Sequence, residues 1–175
     1  MQGKYVICEL WINYVAESCP LDIIFMLDES QSVGPTNYEK MKTFVSQLVG
    51  TLDVKGTGGA RVGVVTYSGK VNNVINLKDH STVADVQAAI NKLTYKVGVT
   101  ATAKALNYVH TDMLTLPAGD RDDVPNVVIV MTDGESSEPT ATKVCKMLKL
   151  FVRMRQLSHC DCVSKMLIIC PIAIA

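Results

Sequence analysis

The amino-acid sequence predicts an α/β domain built on an open sheet, mostly parallel with one antiparallel edge strand, with helices on both faces. Three observations carry that reading. Ile23 to Leu27 and Val127 to Met131 are unbroken apolar runs, the pattern of strands buried on both faces of a parallel sheet. Each run stops at an aspartate, Asp28 and Asp133. After the first, apolar residues recur at helical spacing, as a strand-to-helix crossover requires.

The elements follow in order. Tyr38, Met41, Phe44, Val45, Leu48 and Leu52 predict the first helix, with Gly34 and Pro35 as the turn into it and Thr36 and Glu39 as a capping box. Ala60 to Tyr67 is rich in β-branched residues and reads as a second core strand. Ser68, Gly69 and Lys70 turn the chain into Val71 to Leu77, an edge strand that is antiparallel because the connection is too short for a crossover. Ser81 or Thr82 caps a short helix carrying Val83, Val86 and Ile90, and Leu93 to Val99 forms a loop. Thr102 is placed to begin a helix that turns Leu106, Val109, Met113 and Leu116 inward, ended by Pro117 and Gly119. Val144 to Leu157 is amphipathic with a basic face, which reads as solvated. Met166 to Ala175 is apolar but about half the roughly 20 residues of a membrane helix, and is read as a strand.

Composition narrows the function. The 175 residues fit one domain, with 48% hydrophobic and 19% charged residues, ordinary for a globular chain. Seventeen basic residues balance 17 acidic ones, so no bulk field draws the chain to nucleic acid or anionic lipid. Cys8 and Cys19 precede the first strand, and Cys145, Cys160, Cys162 and Cys170 come late. That placement suits staples in an oxidising compartment or buried thiols in a reducing one, and spacing does not choose between them. His159, Cys160, Asp161 and Cys162 lack the second ligand pair of a structural zinc site. His80 and His110 stand apart from any carboxylate or serine cluster. Glu9, Asn13 and Glu17 interrupt the apolar run that a signal peptide needs, which suggests a missing amino terminus or a module of a longer chain.

The chemistry gathers where strands end. In open α/β sheets ligands bind beyond the carboxyl ends of the strands, and there the sequence places Asp28, Ser30, Ser32 and Asp133, with Thr100 at a helix start between the two apolar strands. Each has a plain structural role available: serines satisfying turn amides, threonines capping, aspartate forming a turn. Together they offer hard oxygen ligands without nitrogen or sulfur, a set that suits Mg²⁺.

With these residues in view, the chain resembles a von Willebrand factor type A domain, the Rossmann-like fold of integrin inserted domains, matrilins and type VI collagen. The resemblance rests on Asp28-Glu29-Ser30-Gln31-Ser32, on Thr100 within Val-Thr-Ala-Thr-Ala-Lys-Ala-Leu, and on Asp133 within Val-Ile-Val-Met-Thr-Asp-Gly-Glu. It covers Pro20 to Thr142, leaving 1–19 as an N-terminal extension of a domain spanning 20–175 in which 143–175 is divergent or incomplete. It implies a metal-ion-dependent adhesion site in which Asp28, Ser30, Ser32, Thr100 and Asp133 hold Mg²⁺ or Mn²⁺, some through water, and an acidic side chain of the partner completes the coordination. Gly98 alone precedes the threonine where many members have paired glycines. The chain ends before the family's last helix, which suggests a truncated product or one module of a longer secreted protein.

The resemblance therefore implies a secreted, non-enzymatic module that binds an extracellular matrix protein such as collagen, with neither nucleic acid nor a membrane span. Ser30→Ala or Asp133→Ala should weaken binding without unfolding the domain, because both side chains are expected at the surface. An intracellular module for complex assembly is the alternative within the family. A flavodoxin-like phosphate or nucleotide binder is the alternative outside it, since hydroxyls at a helix start also cradle phosphate. That reading leaves Thr100 and Asp133 without a role, and no nucleophile and base pair is legible for catalysis.

Overall fold

In a computed structural model, residues 20–55, 58–133 and 137 are described, together with the backbone of 165–171. The expected extension 1–19, the basic helix over 144–157 and the His159 to Cys162 cluster lie outside the described residues, as do all the cysteines except the backbone of Cys170.

The sheet has five strands in the order β3-β2-β1-β4-β5. These are β1 (Asp22–Asp28), β2 (Arg61–Tyr67), β3 (Val71–Ile75), β4 (Asn126–Thr132) and β5 (Lys165–Pro171). β1 is central and parallel to both neighbours, pairing Asp28 with Tyr67 on one side and Leu27 with Met131 on the other. β4 and β5 are parallel as well, and β3 is the expected antiparallel edge beside β2. The carboxyl ends of β1, β2 and β4 therefore meet at one rim, which fixes where Asp28 and Asp133 emerge.

Alternation along β1 assigns the two faces, since successive strand side chains point to opposite sides. Ile23, Phe25 and Leu27 pack with Tyr38, Met41, Val45 and Leu48 of α1 (Gly34–Val49) and with Val86 and Ile90 of α2 (Val83–Asn91). Ile24 and Met26 pack with Ala105 and Leu106 of α3 (Thr102–Tyr108) and with Val109 and Met113 beyond it. Helices thus cover both faces. Each fully buried Ile, Leu or Phe in this core contributes about 1.5–3 kcal/mol of burial.

Three local expectations differ. α1 begins at Gly34, a turn earlier than the capping box implied, with Val33 as its N-cap and no side-chain cap. Gly34 has φ +70°, a left-handed conformation glycine adopts without strain, and Pro35 in the first turn gives up no helical hydrogen bond. Glu39 instead accepts from Lys42 Nζ at 3.1 Å. α3 takes Ala101 as its N-cap, so Thr102 is its buried first residue and does not cap it. The helix then passes into a π turn at Val109–Met113 and stops there, so Leu116 lies beyond it, at the start of a separate 3-10 turn, and is 66% exposed. Only at Thr82 does the expected cap form, its side chain accepting from the Asp85 amide at 3.2 Å.

At the opposite rim, Asp22 is fully buried and its Oδ1 accepts from Arg121 Nη2 at 2.6 Å and Nε at 3.0 Å. The Arg121 amide donates to Asp22 Oδ2 at 2.9 Å. Burial pushes the Asp22 carboxyl above its ordinary range, and the guanidinium pulls it part of the way back. That ion pair anchors the entry to β1 while the exit carries the chemistry.

Candidate metal centre

Asp28 closes β1 and is buried. Its Oδ1 accepts from the Ser30 amide at 2.9 Å, and its Oδ2 accepts from the Thr132 hydroxyl at 2.6 Å. The loop then places Ser30 Oγ 3.1 Å from Ser32 Oγ, and Ser32 Oγ donates to Asp133 Oδ1 at 3.1 Å. Four of the five residues singled out in the sequence therefore form one hydrogen-bonded series, Asp28, Ser30, Ser32 and Asp133, drawn from the ends of β1 and β4.

Thr100 reaches the same rim through its backbone. Its carbonyl accepts from the Ser137 amide at 2.9 Å and hydroxyl at 2.8 Å. On either side of it, Gly98 carbonyl accepts from the Gln31 amide at 2.9 Å and the Ala101 amide donates to the Ser68 carbonyl at 2.9 Å. The loop before α3 is thus laid directly against the loop after β1. Gly98 is required where the same loop passes the turn between β2 and β3: a Cβ there would stand 2.7 Å from Ser68 Oγ.

Exposure corrects one expectation. Ser30 is only 1% exposed and Asp133 half-buried, while Ser32 is exposed. Ser30 is therefore part of the packed floor of the site, and Ser32 is the hydroxyl open to solvent.

Electrostatics at the rim favour a cation. Burial pushes the Asp28 carboxyl above its ordinary range; hydrogen bonds from Thr132 and Ser30 lower it, and the like charge of Asp133 raises it further. Asp133 Oδ2 is buried without a hydrogen-bond partner among the described residues. An unanswered buried carboxylate oxygen is costly, and a divalent cation would answer it. The donor set of carboxylates and hydroxyls fits hard, oxygen-seeking ions. Among the described residues no three His, Cys, Asp or Glu side chains cluster, so a cation here would depend on the hydroxyls.

Two participants escaped the sequence reading. Thr132, directly before Asp133, holds Asp28 through its hydroxyl, a contact across two strands that the apolar run before it does not mark. Glu29 is fully buried although it fills a variable place in Asp-x-Ser-x-Ser; nothing in that pattern marks it.

A family model described as von Willebrand factor type A domain matches residues 22–156. The chain is 38% identical over 125 residues to the collagen alpha-4(VI) chain of Mus musculus, covering 70% of this chain and 5% of that one. It is 37% identical over 134 residues to matrilin-1 of Gallus gallus, covering 77% and 27%, and 35% identical over 117 residues to vitrin of Bos taurus, covering 67% and 18%. Among solved structures it is similar to proximal thread matrix protein 1 from the mussel byssus with a zinc-occupied MIDAS motif, with TM-score 0.65, 30% identity, and coverage of 74% of this chain and 33% of that chain. The chain thus spans about a quarter or less of the length of these curated relatives.

Proposed function

Because the chain belongs to the von Willebrand factor type A family, we propose that it is a non-enzymatic adhesion module of the extracellular matrix, working through a metal-ion-dependent site. The domain runs from residue 20, with 1–19 as an extension. Asp28, Ser30, Ser32, Thr100 and Asp133 would hold Mg²⁺ or Mn²⁺, some through water. Once bound, the cation would supply a positive charge that is only partly answered where one of the two carboxylates is held through water, and so would attract a Glu or Asp of the partner.

The chain's own residues do the positioning. Thr132 and the Ser30 amide hold Asp28 from two sides, and Ser32 ties the β1 loop to Asp133. Its exposure puts Ser32 where a partner would approach. The observation that carries the reading is Asp133 Oδ2, buried and without a hydrogen-bond partner among the described residues, at the end of the hydrogen-bonded series. A phosphate binder fits poorly, since two carboxylates at the rim repel an anion.

The matrix relatives make collagens and other matrix proteins the first ligands to try, and the zinc-occupied mussel site adds Zn²⁺ to the metals. The full chain is tested for binding to immobilised collagens and matrix proteins in Mg²⁺, Mn²⁺ or Zn²⁺ and in chelator. Binding that needs metal supports the reading; equal binding in metal and in chelator overturns it.

A further inference from the structure

Glu29 lies between two of the proposed ligands, yet its bonds go elsewhere. Its Oε1 accepts from Thr66 Oγ1 on β2 at 3.1 Å and from Asn72 Nδ2 on β3, and its Oε2 accepts from the Lys96 amide at 3.2 Å. All three partners donate, so the position needs an acceptor on both oxygens, which an ionised carboxylate provides and an amide does not.

These bonds bracket Thr100. Lys96 is in the loop ahead of it, and that loop is further held by Tyr95 Oη donating to the Ser30 carbonyl at 3.0 Å. On the far side, Asn72 Nδ2 also donates to Ser68 Oγ at 2.9 Å, and the Ser68 carbonyl takes the Ala101 amide at 2.9 Å. One buried carboxylate thus reaches Lys96, four residues before Thr100, directly and Ala101, the residue after it, through Asn72 and Ser68. Lys96 Nζ closes the arrangement by donating to Asn73 Oδ1 at 3.2 Å.

We infer that Glu29 is a positioning residue for the metal site, setting the place of Thr100 by clamping its loop to the β2–β3 hairpin. The inference rests on the metal reading above. It departs from the view that the residue between Asp28 and Ser30 is free to vary: here that residue joins the ligand loops of β1 and α3. Groups that orient ligands without touching the ion commonly govern affinity about as strongly as a weak ligand does.

The test is a Mn²⁺ and Mg²⁺ titration of the full chain, followed by calorimetry, for wild type, Glu29→Gln, Asn72→Ala and Val62→Ala. Val62, fully buried at the start of β2, serves as a variant that lowers stability without reaching the clamp. Amide exchange at Lys96 is followed in parallel. The expected result is metal affinity lowered roughly tenfold or more in Glu29→Gln and Asn72→Ala, with faster exchange at Lys96, and wild-type affinity in Val62→Ala despite its lower melting temperature. If Glu29→Gln does not fold, Asn72→Ala alone decides, since it keeps the carboxylate and cuts the path to Ser68. Wild-type affinity in the clamp variants, or an equal loss in Val62→Ala, overturns the inference and leaves the metal reading standing. Absence of metal binding in the wild type overturns both.

Discussion

Ser32 Oγ donates to Asp133 Oδ1 at 3.1 Å across a sequence separation of 101 residues. That bond joins the ends of two strands that run side by side with β1 at the centre of the sheet, and it is the point where the expected site closes. Because Ser32 is exposed, its removal tests the site with little disturbance to the core. Ser32→Ala is expected to change stability by no more than about 0.5 kcal/mol and to weaken metal-dependent ligand binding measurably. Chemical denaturation and binding in Mg²⁺ check the two halves. Ser30→Ala is the poorer test, because Ser30 is buried and its loss disturbs packing as well as ligation.

Arg121 and Asp22 should matter for stability and not for the site. Arg121→Ala leaves a fully buried carboxylate without its cation, and is expected to cost about 3–5 kcal/mol at neutral pH. The penalty should shrink in acid. The native Asp22 carboxyl already lies above its ordinary range, so the folded chain binds a proton more readily than the unfolded one. Stability from this group is therefore gained as pH falls through the raised native value and lost as pH rises through it, and removing the guanidinium widens that window. Urea unfolding of both proteins between pH 4 and pH 7 (a range of about three units) measures it; a penalty independent of pH would contradict this account.

Tyr38 makes a prediction at the alkaline end. Its hydroxyl is buried and unpartnered among the described residues, and burial pushes it well above the ordinary tyrosine range, with the charges of Glu29 and Glu39 adding to the effect. The folded chain keeps this proton where the unfolded chain gives it up, so stability is full below the ordinary tyrosine value and falls as pH rises through it. Tyr38→Phe removes a hydroxyl with no hydrogen-bond partner within bonding geometry among the described residues, and should cost at most about 1 kcal/mol at pH 7 while lessening the alkaline loss. Unfolding followed against pH checks both statements.

Gly98→Ala should disturb the Thr100 loop at Ser68, the far end of the clamp. The added Cβ would lie 2.7 Å from Ser68 Oγ and 2.9 Å from Ser68 Cβ, too close without movement of one strand turn or the other. Overpacking of this kind costs about 1–3 kcal/mol, and metal affinity should fall with it. Denaturation and metal titration of the one variant give both numbers.

Much of the fold was legible because burial leaves a periodic trace. β1, β2 and β4 showed as apolar or β-branched runs, and α2 announced itself through Thr82. The brevity of the turn at Ser68 to Lys70 was enough to predict β3 as antiparallel. The ends of helices were less legible. Thr36 and Glu39 satisfied a capping pattern, yet Gly34 could take a left-handed φ and start the helix earlier. Leu116 kept the helical period of α3, but the helix ends at Met113 and Leu116 falls beyond it. Asp28, Ser30, Ser32 and Asp133 could be paired in advance because a sheet's topology brings strand ends together whatever the distance along the chain. Glu29 and Thr132 could not, since their roles depend on contacts with β2, β3 and β1 that no local pattern encodes.

The most direct measurement is thermal unfolding of the full chain, and of Asp133→Asn, in Mg²⁺ or Mn²⁺ and in chelator. Ligation by the folded state alone stabilises it by about 2.7 kcal/mol at a hundredfold excess over Kd, a rise of roughly 5 to 10 °C for a domain of this size. The account predicts that rise for the wild type and its loss in Asp133→Asn, whose melting temperature in chelator should equal or exceed the wild type's because a like charge beside Asp28 is gone. Identical melting of the wild type in saturating metal and in chelator would contradict it.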